Sequence, residues 1–113
     1  MAHEPRKYLY DIVQAVRLLT EFTSGKKFDD YASDPMLRSA VERQFEIAGE
    51  ALAQLAKRSE EIAERITEYR HIIAFRNILI HGYTDVDDRL VWDIVETKLP
   101  ILLREAEALL STF

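Results

Sequence analysis

Apolar residues recur at helical spacing along almost the whole chain. Between residues 5 and 22, Leu9, Ile12, Val13, Val16 and Leu19 fall three or four apart, so this stretch predicts an amphipathic helix, with Pro5 suited to its first turn. Thr23 to Lys27 breaks the pattern and reads as a loop, which Phe28 and Tyr31 are placed to pin back onto the core. Asp34-Pro35 predicts the next helix start, an N-cap aspartate before a proline at the first helical position. That helix should run to about Arg58, with Leu37, Val41, Phe45, Ala48, Leu52 and Leu55 as its core stripe. A second, mixed stripe of Arg43, Ile47, Glu50 and Gln54 lies on roughly the opposite side. Gly49 costs roughly 1 kcal/mol against alanine in mid-helix, so its presence predicts the close approach of another helix. Ser59 predicts a cap for a helix through Ile62 and Ile66, bent near Thr67 and leading into one from about Glu68 to Ile80. Thr84 to Asp88 start the final helix, where the acidic first turn complements the helix dipole and Pro100 should introduce a kink. Val91, Ile94, Val95, Leu102, Leu109 and Leu110 give its apolar face, and Trp92 reads as core or interface. No segment alternates as a strand does, and no linker or repeat interrupts the chain. The pattern predicts an all-α, up-and-down bundle of four to five helices, one domain over residues 1–113.

Composition narrows the setting. There is no cysteine, which excludes a disulfide framework and a thiolate metal site. No apolar run approaches the roughly 20 residues that span a bilayer, and residues 1–7 lack the apolar core of a signal peptide. These features point to the cytoplasm and away from a membrane. A net charge of -5 argues mildly against nucleic acid as a partner, but its distribution softens the objection. Residues 65–83 carry Arg65, Arg70 and Arg76 against Glu68, the one net-basic segment. Two copies brought together there could form a positive cleft on an acidic protein. By charge alone, three arginines on a helix read more readily as a solvated face.

Candidate chemistry sits in that segment, in Arg76-Asn77-Ile78-Leu79-Ile80-His81-Gly82-Tyr83. On a helix Arg76 shares a face with Ile72, Ile73, Leu79 and Ile80. A charge on such a stripe is costly unless it is paired or faces a cleft or a partner chain; Glu50 is a candidate counter-ion. Asn77 and His81, four apart, share an adjacent face. Gly82 is placed to supply the left-handed residue that ends many helices, which leaves His81 in the last turn and Tyr83 just beyond. Read singly, His81 is a helix-capping histidine and Tyr83 a ring packed over a helix end. Read together with Arg76, His81 offers the parts of acid–base chemistry at a phosphoryl group. Histidine can act as acid or base near neutral pH, and the planar fork of arginine matches phosphoryl oxygens. The three histidines show no paired ligand spacing, and there is no phosphate-cradling glycine loop and no serine or cysteine nucleophile context, so neither metal nor cofactor is expected.

Arg76-Asn77, three apolar residues and His81-Gly82-Tyr83 resemble the Arg-x4-His-x-Tyr motif of HepT-like toxins, which belong to the HEPN superfamily of helical ribonucleases. Asp11-Ile12, Phe28 to Asp30, Glu42 to Ala51, Val91-Trp92 and Leu99-Pro100 extend the resemblance over nearly the whole chain. One departure is Tyr69-Arg70-His71-Ile72, where these proteins often have a proline and a tryptophan. The resemblance implies a dimeric, HEPN-like bundle and a metal-independent endoribonuclease toxin of a toxin–antitoxin system. It implies catalytic Arg76 and His81 in a composite site of a homodimer, with Asn77 in support, RNA as substrate and no DNA. It also implies a nucleotidyltransferase antitoxin as partner, one that transfers AMP onto Tyr83. The competing reading is a non-catalytic helical subunit that presents a substrate to such a nucleotidyltransferase. The two share a fold and a partner, and cleavage activity separates them.

Overall fold

A computed structural model describes residues 3–82 and 86–113, and among them every regular element is a helix. They are α1 (His3–Thr23), α2 (Phe28–Ala32), α3 (Pro35–Arg58), α4 (Glu60–Ala63), α5 (Tyr69–His81), α6 (Asp88–Thr97) and α7 (Leu99–Leu110). The four long stretches of the hydrophobic pattern are all present. The number of segments exceeds the expected four to five because the loop after α1 contains the single turn α2, the link before α5 contains α4, and the last helix is divided in two.

The long helices form where their apolar stripes can meet. Leu9, Ile12, Val13, Val16 and Leu19 of α1 are fully buried, facing Val41, Phe45, Leu52 and Leu55 of α3. α1 packs chiefly on α3 and α7, and α5 lies against α3. Asp34 caps α3 as its sequence predicts, accepting hydrogen bonds from the amides of Met36 and Leu37. In α2, the Lys27 amide donates to the Asp30 carboxylate at 2.8 Å, and the turn sends Tyr31 into the core to stack on Trp92, ring centres 5.4 Å apart.

Two local expectations differ from what the chain does. Gly82 ends α5 with φ -107 rather than in the left-handed region, its amide donating to the Ile78 carbonyl. Ser59 precedes α4 without a side-chain capping bond; its own amide instead closes α3 by donating to Leu55. Besides Gly25, a non-glycine residue among those described is left-handed: Glu68, at φ 55, which turns the chain from α4 into α5. A non-glycine residue there is strained by about 1–2 kcal/mol, and the corner is fastened from outside. The Glu68 carboxylate accepts a hydrogen bond from Lys98, which holds that carboxyl below its ordinary range, and the Glu105 carboxylate accepts from the Thr67 amide and hydroxyl. Both partners lie at or beyond the junction between α6 and α7, where Pro100 sits in the first turn of α7. The junction of α6 with α7 thus fastens the start of α5.

Candidate functional site

α5 is set against α3 by a contact that only glycine allows. A Cβ on Gly49 would lie 2.3 Å from the Cβ of Arg76 and 2.8 Å from its Cγ. The root of the Arg76 side chain therefore rests directly on the α3 backbone, while Phe45 and Phe75 meet edge to face beside it, ring centres 5.2 Å apart. The expected close helix approach is here, and it positions Arg76.

The tip of that side chain is held by polar bonds. Arg76 Nη2 donates to Glu50 Oε2 at 2.5 Å, and Nη1 donates to Asn77 Oδ1 at 2.8 Å. Gln54 Nε2 donates to the other Glu50 oxygen at 3.1 Å. Arg76 Nε is buried and, among the described residues, has no hydrogen-bond partner. The ion pair with Glu50 resolves the problem of a charge on an apolar stripe. It sits at the mouth of a cleft, with the Arg76 side chain 25% and the Glu50 side chain 47% exposed.

That cleft is a groove of about 300 Å³ between three helices. α3 lines it with Arg43, Ile47, Glu50 and Gln54, the second stripe of the sequence, and α5 adds Arg76 and Ile80. Tyr8 and Asp11 complete it from α1. The sequence pattern assigns these two no site role, because their register beside α3 depends on how α1 packs. Asp11, Glu46 and Glu50 outnumber Arg43 and Arg76, so the groove of one chain does not by itself favour a phosphate.

His81 is exposed at the end of α5 and is not among the residues that line this groove. It follows Arg76 by five positions, about 140° around the helix axis, whereas Asn77 and His81 share a face. One copy of the chain thus brings Arg76, Asn77 and Glu50 together and leaves His81 on a different side. Ile78 and Ile80, both exposed large apolar side chains, flank the Asn77–His81 face. Tyr83 lies outside the described residues. Among the described residues no group of three His, Cys, Asp or Glu side chains gathers as a metal ion would need, and no helix is long and apolar enough to cross a membrane.

Comparison with known proteins gives a consistent result. Residues 12–109 match the family described as Ribonuclease HepT-like. A candidate RNase of Caldanaerobacter subterraneus is 34% identical over 107 residues, 95% of each chain. A probable ribonuclease HepT of Thermococcus cleftensis is 34% identical over 109 residues, 96% of this chain and 98% of its own. A candidate RNase of Methanocaldococcus jannaschii is 32% identical over 102 residues, 90% of this chain and 93% of its own. No solved structure matches.

Proposed function

Because this chain belongs to the HepT-like ribonuclease family, we propose that it is a metal-independent endoribonuclease whose site is completed by a second copy of itself. The observation that carries this reading is the divergence of Arg76 and His81 on α5. Arg76 is fixed in the groove by Glu50 and Asn77, while His81 faces elsewhere, beside exposed Ile78 and Ile80. A two-fold seam along that apolar face would bury it and draw two histidines and two arginines into one cleft. It would also bring the two Arg76 guanidinium groups to one cleft.

In such a cleft the 2′-oxygen of RNA attacks the adjacent phosphorus and the bond to the 5′-oxygen breaks. One His81 takes the 2′-hydroxyl proton and the other gives a proton to the departing 5′-oxygen. Arg76 donates to the phosphoryl oxygens as charge builds on them. The products are a 2′,3′-cyclic phosphate and a free 5′-hydroxyl, and no water is consumed in this step. We further assign the chain as the toxin of a toxin–antitoxin pair in the cytoplasm, silenced when a nucleotidyltransferase antitoxin transfers AMP to Tyr83. The added phosphodiester charge and bulk beside the motif would compete with the RNA phosphate.

Purified dimer incubated with RNA in excess EDTA tests the chemistry. It should leave 2′,3′-cyclic ends, and His81→Ala and Arg76→Ala should stay folded yet lose on the order of 10²–10⁴-fold in rate. A co-purified heterodimer of the two variants, carrying one intact His81 and one intact Arg76, should recover part of the activity. Cleavage only with added Mg²⁺, or undiminished cleavage by both variants, would overturn the mechanism. A monomer in solution would remove the composite site, and a dimer that cuts no RNA would leave the substrate-presenting subunit as the better reading.

A further inference from the structure

We propose that Glu50 is a positioning residue for RNA cleavage, acting through Arg76, with Gln54 behind it. The inference rests on Arg76 being the group that holds the phosphoryl oxygens. A guanidinium carries five N–H donors in a planar fork. One of those on Nη1 goes to Asn77, one of those on Nη2 goes to Glu50, and among the described residues the buried Nε–H has no partner. Among the same residues, one N–H on each terminal nitrogen is without a partner. Such a pair can meet two oxygens of one phosphoryl group. The network therefore fixes the guanidinium through one donor on each terminal nitrogen and leaves a donor on each for a phosphate.

The holding is two-sided. Glu50 Oε2 takes the Arg76 bond and Oε1 takes the bond from Gln54, one turn further along α3. At the other end of the side chain, Gly49 lets the Cβ and Cγ of Arg76 rest on the α3 backbone. A long side chain at the mouth of an open groove would otherwise sample many rotamers; here its root is fixed by sterics and its tip by the carboxylate. A partly exposed ion pair contributes little to folding, so the role of Glu50 should be read in rate rather than in stability. Nor does it help to attract RNA, because its negative charge offsets that of Arg76. Loss of Glu50 should thus slow the chemical step without weakening binding, a combination that a merely structural role does not produce.

The test measures single-turnover cleavage, affinity for an RNA blocked by a 2′-deoxy substitution, and melting temperature. The full-length dimer is compared with Glu50→Gln, Glu50→Ala and Arg76→Ala. Glu50→Ala should cut on the order of 10²-fold more slowly, the cost of a misplaced reacting group, with unchanged or tighter binding and a nearly unchanged melting temperature. Glu50→Gln keeps an oxygen that can accept from Nη2 and should fall between it and the native protein. Wild-type rates in both Glu50 variants would overturn the inference, as would a loss of rate matched by an equal loss of binding or of folded protein. If Arg76→Ala itself still cleaves, the reading of the site fails. If Arg76→Ala is inactive while both Glu50 variants cleave normally, that reading stands and only the role of Glu50 falls.

Discussion

Glu42 shows how one side chain can set a pH response. It lies part-buried on α3, and its carboxyl is pushed above the ordinary range first by burial and then by Asp88 and Glu46, with Arg38 opposing. The folded state therefore binds the Glu42 proton more tightly than the unfolded chain does. Stability from this group then falls as pH rises from the ordinary carboxylate value through the raised one, and the ionised side chain is a liability at neutral pH. Glu42→Gln should stabilise the protein at pH 7 by about 0.5 kcal/mol, since solvent screens a partly exposed charge. The gain should shrink as the pH drops into the window where Glu42 is protonated. Urea unfolding at several pH values checks this; a loss of stability at pH 7, or a difference that ignores pH, would contradict it. At the same scale, Arg76 was conspicuous in the sequence because a charge interrupts an apolar stripe. Glu50 was nameable as its partner, but the bonds from Asn77 and Gln54 depend on rotamers that only the packed helices select.

Among the elements, the pairing of α3 with α5 decides the site. Gly49→Ala would gain about 1 kcal/mol of helix propensity. The new methyl would meet Arg76 Cβ at 2.3 Å, and overpacking of this kind typically costs about 1–3 kcal/mol. Clash should outweigh propensity, because the facing atoms are at the root of the side chain and cannot swing aside. A melting temperature lower by several degrees is expected, about 4–8 °C for each kcal/mol in a domain of this size, together with a larger proportional loss of cleavage as Arg76 is displaced. A raised melting temperature would show that the two helices can separate freely. The corner before α5 is the counterpart. The sequence predicts a bend near Thr67, but a left-handed Glu68 held by Lys98 is a tertiary outcome. Its strain is tolerated because Lys98 and Glu105 come from the far end of the chain.

For the whole molecule, the proposed antitoxin supplies the sharpest test. Co-expression with a nucleotidyltransferase encoded beside this chain should add one or more AMP units, visible by intact mass. Tyr83→Phe should abolish the added mass and leave cleavage uninhibited by that route. Modification at Tyr69, or normal modification of Tyr83→Phe, would overturn the assignment of Tyr83. The phenol would need activation by such a partner, because the ordinary tyrosine pKa of about 10 leaves it weakly nucleophilic near neutral pH.

The sequence by itself determined the long helices and their buried faces. Helical periodicity, the Asp34-Pro35 start and Pro100 act within a few residues, so local pattern was enough to place α1, α3, α5 and the divided last helix. It also marked Arg76, Asn77 and His81 as out of place in an apolar run. Tertiary structure decided what surrounds them. The groove takes side chains from α1, α3 and α5, and their meeting depends on how far α5 can settle onto Gly49. The termination at Gly82 went differently from expectation because the glycine amide reaches the Ile78 carbonyl without entering the left-handed region. Glycine permits that conformation; it does not require it.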